Sequence, residues 1–536
     1  MTAVATTRSS RVLPWKPCAE AGLGIVMLLL LWQLTVNFAF SANSIVPGPA
    51  QILRQFFIVD GAAFYFASAG HTLHAALQGW CWGNSIAIGL ALLVVALPRM
   101  EKPVLLLGAI SYCLPMVAIG PILIITTNGE TPRVVLSALA VFFSMLVGTL
   151  LGLRSPSPGM LDVIHSFGGS ELTKLFRVRW RAALPQFFAS LRVSAPSAIL
   201  GSLIGEFFGA ENGLGVVLIN AQQSLNYPRT WTVVLFATAL SAGSFGLIGL
   251  AGSWLTPWAR ETHSNLTAGT AHSGGGKTTR AAFLFQALGK AVFSISLVLA
   301  VWWLLLKISH VSPFIAKGPA DVWNYVFDPD SGADNRAALF DESGVTLRDA
   351  GIGLASGTIA ALVGAVIFQA VPFMRRIFLG PALAVQSVPL VAMTPLIVLT
   401  FGRNLGSIAI IGGIITFFPT LVNVTLALDR TPSAATDLMR VFGASKLKAI
   451  RLVRIPYALP ALFASLRVAA PLSITGALLA EWLATGNGLG YALMSDVATS
   501  DYSALWTRVA LSTAYSLLLY ELIGLIERIG LSKIAS

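Results

Sequence analysis

The chain has 536 residues, of which 55% are apolar and 11% charged. An ordinary soluble domain carries roughly 25% charged residues, and a body of this size cannot cover its outside with half that share. This excludes a soluble enzyme, a disordered chain and a disulfide scaffold, and it indicates a polytopic membrane protein. The net charge of +12 is spread over many short segments between apolar runs, so it reads as a topology signal and removes the nucleic-acid reading. Cys18, Cys81 and Cys113 fit neither a disulfide framework nor a zinc site.

Taken in chain order, the first apolar run lies at about 21–40. It is too long for a cleavable signal and lacks a small-x-small site, so it reads as a retained first span. Further runs of spanning length lie at about 69–97, 104–127, 134–153, 184–206 and 230–255. A second set follows at about 288–309, 346–372, 377–401, 404–428, 459–482 and 504–526. The expectation is an all-α protein of about twelve spans. One set of connections holds Arg99, Lys102, Arg177, Arg179, Arg181, Arg375, Arg376, Lys446, Lys448, Arg451 and Arg454. The opposite set is poor in Lys and Arg, and its longest member is acidic, with Asp321, Asp328, Asp330, Asp334, Asp341 and Glu342. The positive-inside rule then places both termini in the cytoplasm.

The chain contains one unit twice. Residues 166–215 align without a gap on 441–490, with half of the positions identical. Ala183-Leu184-Pro185 matches Ala458-Leu459-Pro460, and Phe188-Ala-Ser-Leu-Arg-Val193 matches Phe463-Ala-Ser-Leu-Arg-Val468. Glu206-x5-Asn212-Gly-Leu-Gly215 matches Glu481-x5-Asn487-Gly-Leu-Gly490. Upstream, Thr72-Leu73, Gly79 and Gly83 match Thr346-Leu347, Gly353 and Gly357, and Pro115-x5-Pro121 matches Pro389-x5-Pro395. Six spans per unit give both copies the same orientation, hence two like bundles about a pseudo-two-fold axis along the membrane normal. The expected domains are a first repeat at 1–258, a Gly/Ser-rich cytoplasmic linker at 259–286 and a second repeat at 287–536. The linker's His272-Ser-Gly-Gly-Gly-Lys-Thr-Thr279 is not a phosphate loop, because Ala271 stands where that pattern needs its first glycine.

The connection between the fourth and fifth spans is the most informative repeat. It runs from Asp162 through Phe167, Gly168 and Leu172 to Leu184-Pro185, and in the second copy from Asp437 through Phe442, Gly443 and Leu447 to Leu459-Pro460. Both keep Asp-x5-Gly and Gly-x15-Leu-Pro. The spacing of Leu161, Ile164, Phe167, Leu172 and Leu175 predicts a short amphipathic helix, a turn at glycine, and a second amphipathic helix ending at proline. An interfacial helix on lipid headgroups would have this amphipathicity, but lipid contact does not require the same glycine and Leu-Pro positions twice. A protein-docking surface does.

These loops resemble the EAA loop of ATP-binding-cassette (ABC) importer permeases, with the core Glu-Ala-Ala-x3-Gly-x9-Ile-x-Leu-Pro. Ser-Leu-Arg and Glu-x5-Asn-Gly-Leu-Gly resemble the nitrate/sulfonate/bicarbonate (NitT/TauT) branch. Asp162 and Asp437 stand where the motif has Glu, and Val163-Ile164 and Leu438-Met439 stand where it has two alanines. The resemblance implies a type I importer-like permease with its two halves fused in one chain, in the bacterial inner membrane. It implies two separate ABC ATPase subunits, which hold ATP and Mg and grip the loops, and an extracytoplasmic solute-binding protein. No cofactor and no catalytic residue is expected in this chain, which has no Walker A motif of its own.

Other residues carry secondary readings. Pro115, Pro121, Pro389 and Pro395 kink the third span of each half and either open backbone carbonyls to a path or shape packing. Glu206 and Glu481 either brace the Asn-Gly-Leu-Gly segment or form an outer gate. Arg192 and Arg467 snorkel or pair with a loop carboxylate. His71 and His74 lack a third metal ligand, and Glu521 has no counterpart in the first half. Two other classes fit less well: a gradient-driven six-plus-six carrier favours charges at mid-depth, which are scarce here, and a membrane enzyme needs convergent polar clusters.

Overall fold

The computed structural model describes residues 16–39, 45–260, 296, 299–304, 306–308, 311–375, 377–378 and 390–535. It is helical, with no strand among the described residues. Eight helices are long and apolar enough to span a membrane, and one sharply bent pair makes a ninth. In the first repeat they are α2 (Ala62–Ala96), α5 (Thr131–Leu153), α7 (Trp180–Phe207) and α9 (Tyr227–Leu255). The short helices are α3 (Glu101–Cys113), α4 (Met116–Thr126), α6 (Pro158–Ser166) and α8 (Leu214–Gln223), after an N-terminal α1 (Lys16–Ala39). The second repeat has α10 (Pro319–Phe327), α11 (Gly332–Ala370), α12 (Leu390–Phe401), α13 (Leu405–Asp429), α14 (Ser433–Val441), α15 (Ile455–Ala480), α16 (Leu489–Thr499) and α17 (Tyr502–Ala535). The runs expected at 21–40, 288–309 and 377–401 are only partly described, and the linker from 261 onward lies outside the described residues.

The run at 104–127 bends at its proline, and the bend is a sharp one: α3 and α4 meet at 92°. Leu114 and Pro115 are both extended, with ψ of 113° and 116°, and a residue before proline is pushed out of the helical region. One expectation is corrected: the second loop helix does not end at proline. One helix runs from Glu171 to Phe207, through a wide π turn at Leu175–Arg179, with Pro185 inside it. Its counterpart runs from Lys446 to Thr485 with Pro460 inside. A proline inside a long helix removes one hydrogen bond, and the turns on either side keep the helix continuous.

The repeated glycines explain the packing of each bundle. A Cβ on Gly79 would lie 2.3 Å from Ser137 Cβ, and one on Gly83 2.4 Å from Val141. In the second copy Gly353 meets the Gly412 backbone and Gly357 meets Gly413 and Thr416. Without a hydrophobic drive between helices in lipid, such close backbone approach supplies the dispersion contact that associates them. Thr416 Oγ1 donates to the Gly353 carbonyl at 3.1 Å across the same seam.

The broken pair α3–α4 crosses into the other repeat. Tyr112 donates from its hydroxyl to the Val468 carbonyl at 2.8 Å, and Ala118 and Ile122 are buried in one cluster with Ile474, Ala477 and Leu478. Met393 of α12 packs in return on the first repeat's core. The far end of each repeat, opposite the duplicated loops, is locked by different ions. In the first, Asp60 takes hydrogen bonds from Arg229, Tyr65 and Gln55. Burial opposes its ionisation, but these donors outweigh burial and hold its carboxyl below the ordinary range. In the second, Arg508 is bidentate to both Glu342 and Asp496 at 2.7–2.8 Å.

Gly353→Ala is expected to lower stability in detergent by about 1–3 kcal/mol through overpacking against Gly412. Gly351→Ala, whose Cβ meets nothing within 4 Å, is expected to be neutral or stabilising. Equal melting temperatures for the two variants would remove the glycine seam as the reason for the repeat.

Candidate functional site

The duplicated loop folds identically in both copies, and each step has a local cause. Helix α6 ends in Phe167 and then Gly168 at φ +73°, and α14 ends in Phe442 and then Gly443 at φ +70°. Glycine adopts this left-handed conformation without steric cost. The following N–H groups close a Schellman motif: Gly169 N donates to the Ile164 carbonyl and Gly168 N to that of His165, each at 2.9 Å. Ala444 to Met439 (3.0 Å) and Gly443 to Arg440 (2.9 Å) repeat it. Ser170 and Ser445 then cap the next helix, accepting from the N–H of Thr173 and Lys448, each at 3.3 Å.

Cap, turn and cap together hold apolar side chains out in solvent. Phe167 is 87% exposed and Phe442 78%, and Leu172, Leu447, Val163 and Leu438 are exposed as well. Ile164 and Leu175, which the spacing placed on the same side, are instead partly buried, so only part of the predicted stripe is presented. Asp162 and Asp437 are exposed, and Asp437 pairs with Arg440 at 3.1 Å. Leu184, Pro185 and Leu459 are half-buried and Pro460 exposed, all four inside the long helices rather than on the loop tip.

At the other end of the same long helices lies a second repeated constellation. Glu206 is 1% exposed and Glu481 fully buried. Glu206 Oε2 accepts from Thr72 Oγ1 at 3.0 Å and from Gly215 N at 2.7 Å, while Thr72 Oγ1 accepts from Leu214 N at 2.9 Å. The second copy has Thr346 at 3.0 Å, Gly490 N at 2.7 Å and Leu489 N at 3.0 Å. Gly213 (φ +130°) and Gly488 (φ +91°) lie so close that a Cβ would fall 2.3 and 2.4 Å from the carboxylate carbon. This is a brace, and it accounts for Glu-x5-Asn-Gly-Leu-Gly: the glycines make room for the carboxylate and the loop N–H groups ligate it. Thr72 and Thr346 complete it, and the sequence had marked them only as repeat matches.

The remaining candidates are more scattered. Pro115 sits at the break between α3 and α4, Pro121 is buried inside α4, Pro395 lies inside α12, and Pro389 falls outside the described residues. Arg192 rests 4.0 Å over the Phe245 ring and Arg467 4.3 Å over that of Tyr520, each beside a glycine of the last span, Gly249 or Gly524. Glu521 approaches Arg467 at 3.8 Å, so its partner is an intramembrane arginine and not a loop group. His74 lies 3.2 Å from Glu130, and the described residues hold no cluster of three or more metal-ligating side chains.

The family model "Binding-protein-dependent transport system inner membrane component" matches residues 83–260 and again 353–529. The chain belongs to this family, and carries two copies of it. It is similar to a probable ABC transporter permease protein of Haemophilus influenzae, with 29% identity over 43% of this chain and 92% of that protein. It is similar to the formylaminopyrimidine transport permease protein ThiX of Halalkalibacterium halodurans, with 26% identity over 45% of this chain and 96% of the relative. The riboflavin transport system permease protein RibX of Chloroflexus aurantiacus is 36% identical over 28% of this chain and 57% of its own length. No solved structure gives a significant match. The chain is thus a transport component and not a catalytic one.

Glu206→Ala leaves the Gly215 N–H buried without its carboxylate acceptor, which costs about 1–3 kcal/mol for such a group, while the Thr72 hydroxyl keeps only the Ser68 carbonyl at 3.3 Å. Glu206→Gln retains an acceptor and is expected to lose less. Thermal unfolding in detergent that ranks the two variants equally would contradict the brace.

Proposed function

We propose that this chain supplies both permease halves of an ABC importer, so that one polypeptide does the work of a permease dimer. Each relative covers less than half of it while matching most of its own length for the first two, which supports a fusion of two permease units. The two loops each receive one ATPase subunit, whose ATP and Mg remain in that partner. A solute-binding protein delivers cargo on the opposite side. The basic residues gathered in the loop-side connections support a cytoplasmic position for the loops and both termini, in the bacterial inner membrane.

The observation that carries this reading is the matched set of exposed apolar side chains, Val163/Leu438, Phe167/Phe442 and Leu172/Leu447, at the same positions of both loops. An aromatic and a leucine held out by a rigid turn are anchor residues suited to a partner's cleft. Docked there, the rigid loop transmits the partner's ATP-driven closure as a push along the continuous helices Glu171–Phe207 and Lys446–Thr485, so that the halves alternate between inward- and outward-facing states.

The solute is a small organic or anionic molecule of the kind handled by the NitT/TauT branch. Relatives are named for formylaminopyrimidine, riboflavin and aliphatic sulfonates, and the ligand of the cognate binding protein is the measurement that names it. A gradient-driven carrier is the alternative, and co-purification separates the two. The importer retains a stoichiometric ATPase and needs ATP, whereas a carrier purifies alone and moves solute without it.

Gly168→Val with Gly443→Val forces a β-branched residue into the left-handed region, a true outlier conformation. The double variant is expected to insert in the membrane normally and to lose ATPase association and turnover by about tenfold or more, as removal of one aromatic anchor typically does. Unchanged turnover in the double variant would sink the docking role.

A further inference from the structure

The repeat offers a way to locate its own axis: residues related by the pseudo-two-fold approach each other only where the axis passes. Phe207 and Trp482 occupy equivalent positions in the aligned repeats. Their rings meet edge to face with centroids 5.8 Å apart. Ile204 and Leu479, also equivalent, belong to the same apolar cluster, together with Val117, Phe208 and Leu483. Phe208 stacks on Trp482 at 5.1 Å and 12°. The axis is therefore filled by an aromatic plug. Its depth is fixed by Glu206 and Glu481, one residue away, about 30 Å along the helix from Pro185 at 1.5 Å per residue. The plug lies at the end opposite the duplicated loops.

The two sides of the plug are built differently. Phe208 is seated: a Cβ on Gly120 would lie 2.4 Å from its ring, so the absence of that side chain is the recess that holds it. Trp482 stands in a wide π turn, Glu481–Thr485, which ends on Gly486 at φ +73°. In the first repeat α7 stops instead at Phe207 with Phe208 as its cap. A π turn holds one more residue than the α-helix it interrupts and is frequent at functional sites. A two-copy chain also permits unlike residues on the axis, where two identical subunits would place two of the same.

We infer that this plug is the outer gate of the translocation path, with Phe208 in its Gly120 recess as the fixed leaf and Trp482 on its π turn as the moving leaf. The glutamate brace behind each leaf holds its backbone, so that motion of the long helices is delivered to the rings. The inference uses the importer reading for its direction, but the closure of the axis is a geometric claim that stands on the ring contacts.

The test uses the full chain assembled with its ATPase partner, in a background where Cys18, Cys81 and Cys113 are replaced by serine. Phe207→Cys with Trp482→Cys is expected to be joined by a short bis-methanethiosulfonate cross-linker, and the bridged complex to lose ATP turnover about tenfold while reductant, which cleaves the bridge, restores it. Ready bridging with full turnover would overturn the gate and leave the docking role untouched. In proteoliposomes without ATP, Trp482→Ala is expected to raise the efflux of entrapped chloride about tenfold, the population shift that loss of its two aromatic pairs supplies. Phe208→Ala, which leaves the Phe207–Trp482 contact, is expected to leak less, and Trp482→Phe to restore closure. Efflux at the native rate in Trp482→Ala would overturn the gate, and equal leaks for Trp482→Ala and Phe208→Ala would overturn the division into fixed and moving leaves. Loss of the ATPase partner from the native chain would instead strike the importer reading, with the cross-link still reporting the plug.

Discussion

A carboxylate buried at the end of a membrane helix must find donors, and this requirement organises each half of the molecule. Glu206 and Glu481 are removed from water, where an unsatisfied charge is expensive. Each is met by a threonine from another span and by a loop N–H from the hairpin that follows. The same contacts tie three pieces of chain together: the second span, the end of the fifth, and the Asn-Gly-Leu-Gly turn. Replacing any one of them leaves the others with buried polar groups lacking partners, so the constellation is retained as a unit in both repeats.

In the proposed importer the brace also fixes where force is delivered. The fifth span of each half is continuous with the helix that follows the Schellman turn, so one rigid rod links an exposed loop to a buried carboxylate. The prolines within the rod do not break it, and the π turns at Leu175–Arg179 and Ile450–Arg454 absorb the local change in winding. A displacement at Phe167 or Phe442 has no flexible segment in which to dissipate before it reaches the braced end. In the proposed importer, docking and passage are in this way the two ends of one element.

The repeats are alike where helices pack and unlike where ions lock them. Gly79 and Gly83 have the same purpose as Gly353 and Gly357, because backbone approach in lipid leaves no alternative residue. The ion locks can differ, since any satisfied pair tethers a helix end. Arg508 with Glu342 and Asp496 in one half stands in place of Asp60 with Arg229 in the other. Glu521, which has no equivalent in the first half, has an electrostatic partner in Arg467.

The membrane class, the duplication, the loop with its glycine, and the Glu-x5-Asn-Gly-Leu-Gly segment were all legible in the residues. Each depends on composition or on spacing within a few turns, and such features are local. What the residues did not disclose depends on contacts far apart in the chain. The partnership of Thr72 with Glu206, 134 positions away, the 92° break at Pro115, and the meeting of Phe207 with Trp482 on the axis required the bundle to be assembled. The exposed face of the loop lies between these cases: its amphipathic pattern was plain, but whether Phe167 or Ile164 faced solvent was decided by the turn at Gly168, which rotates one helix against the next. A linear pattern records which residues recur, and only the packed chain decides which of them meet.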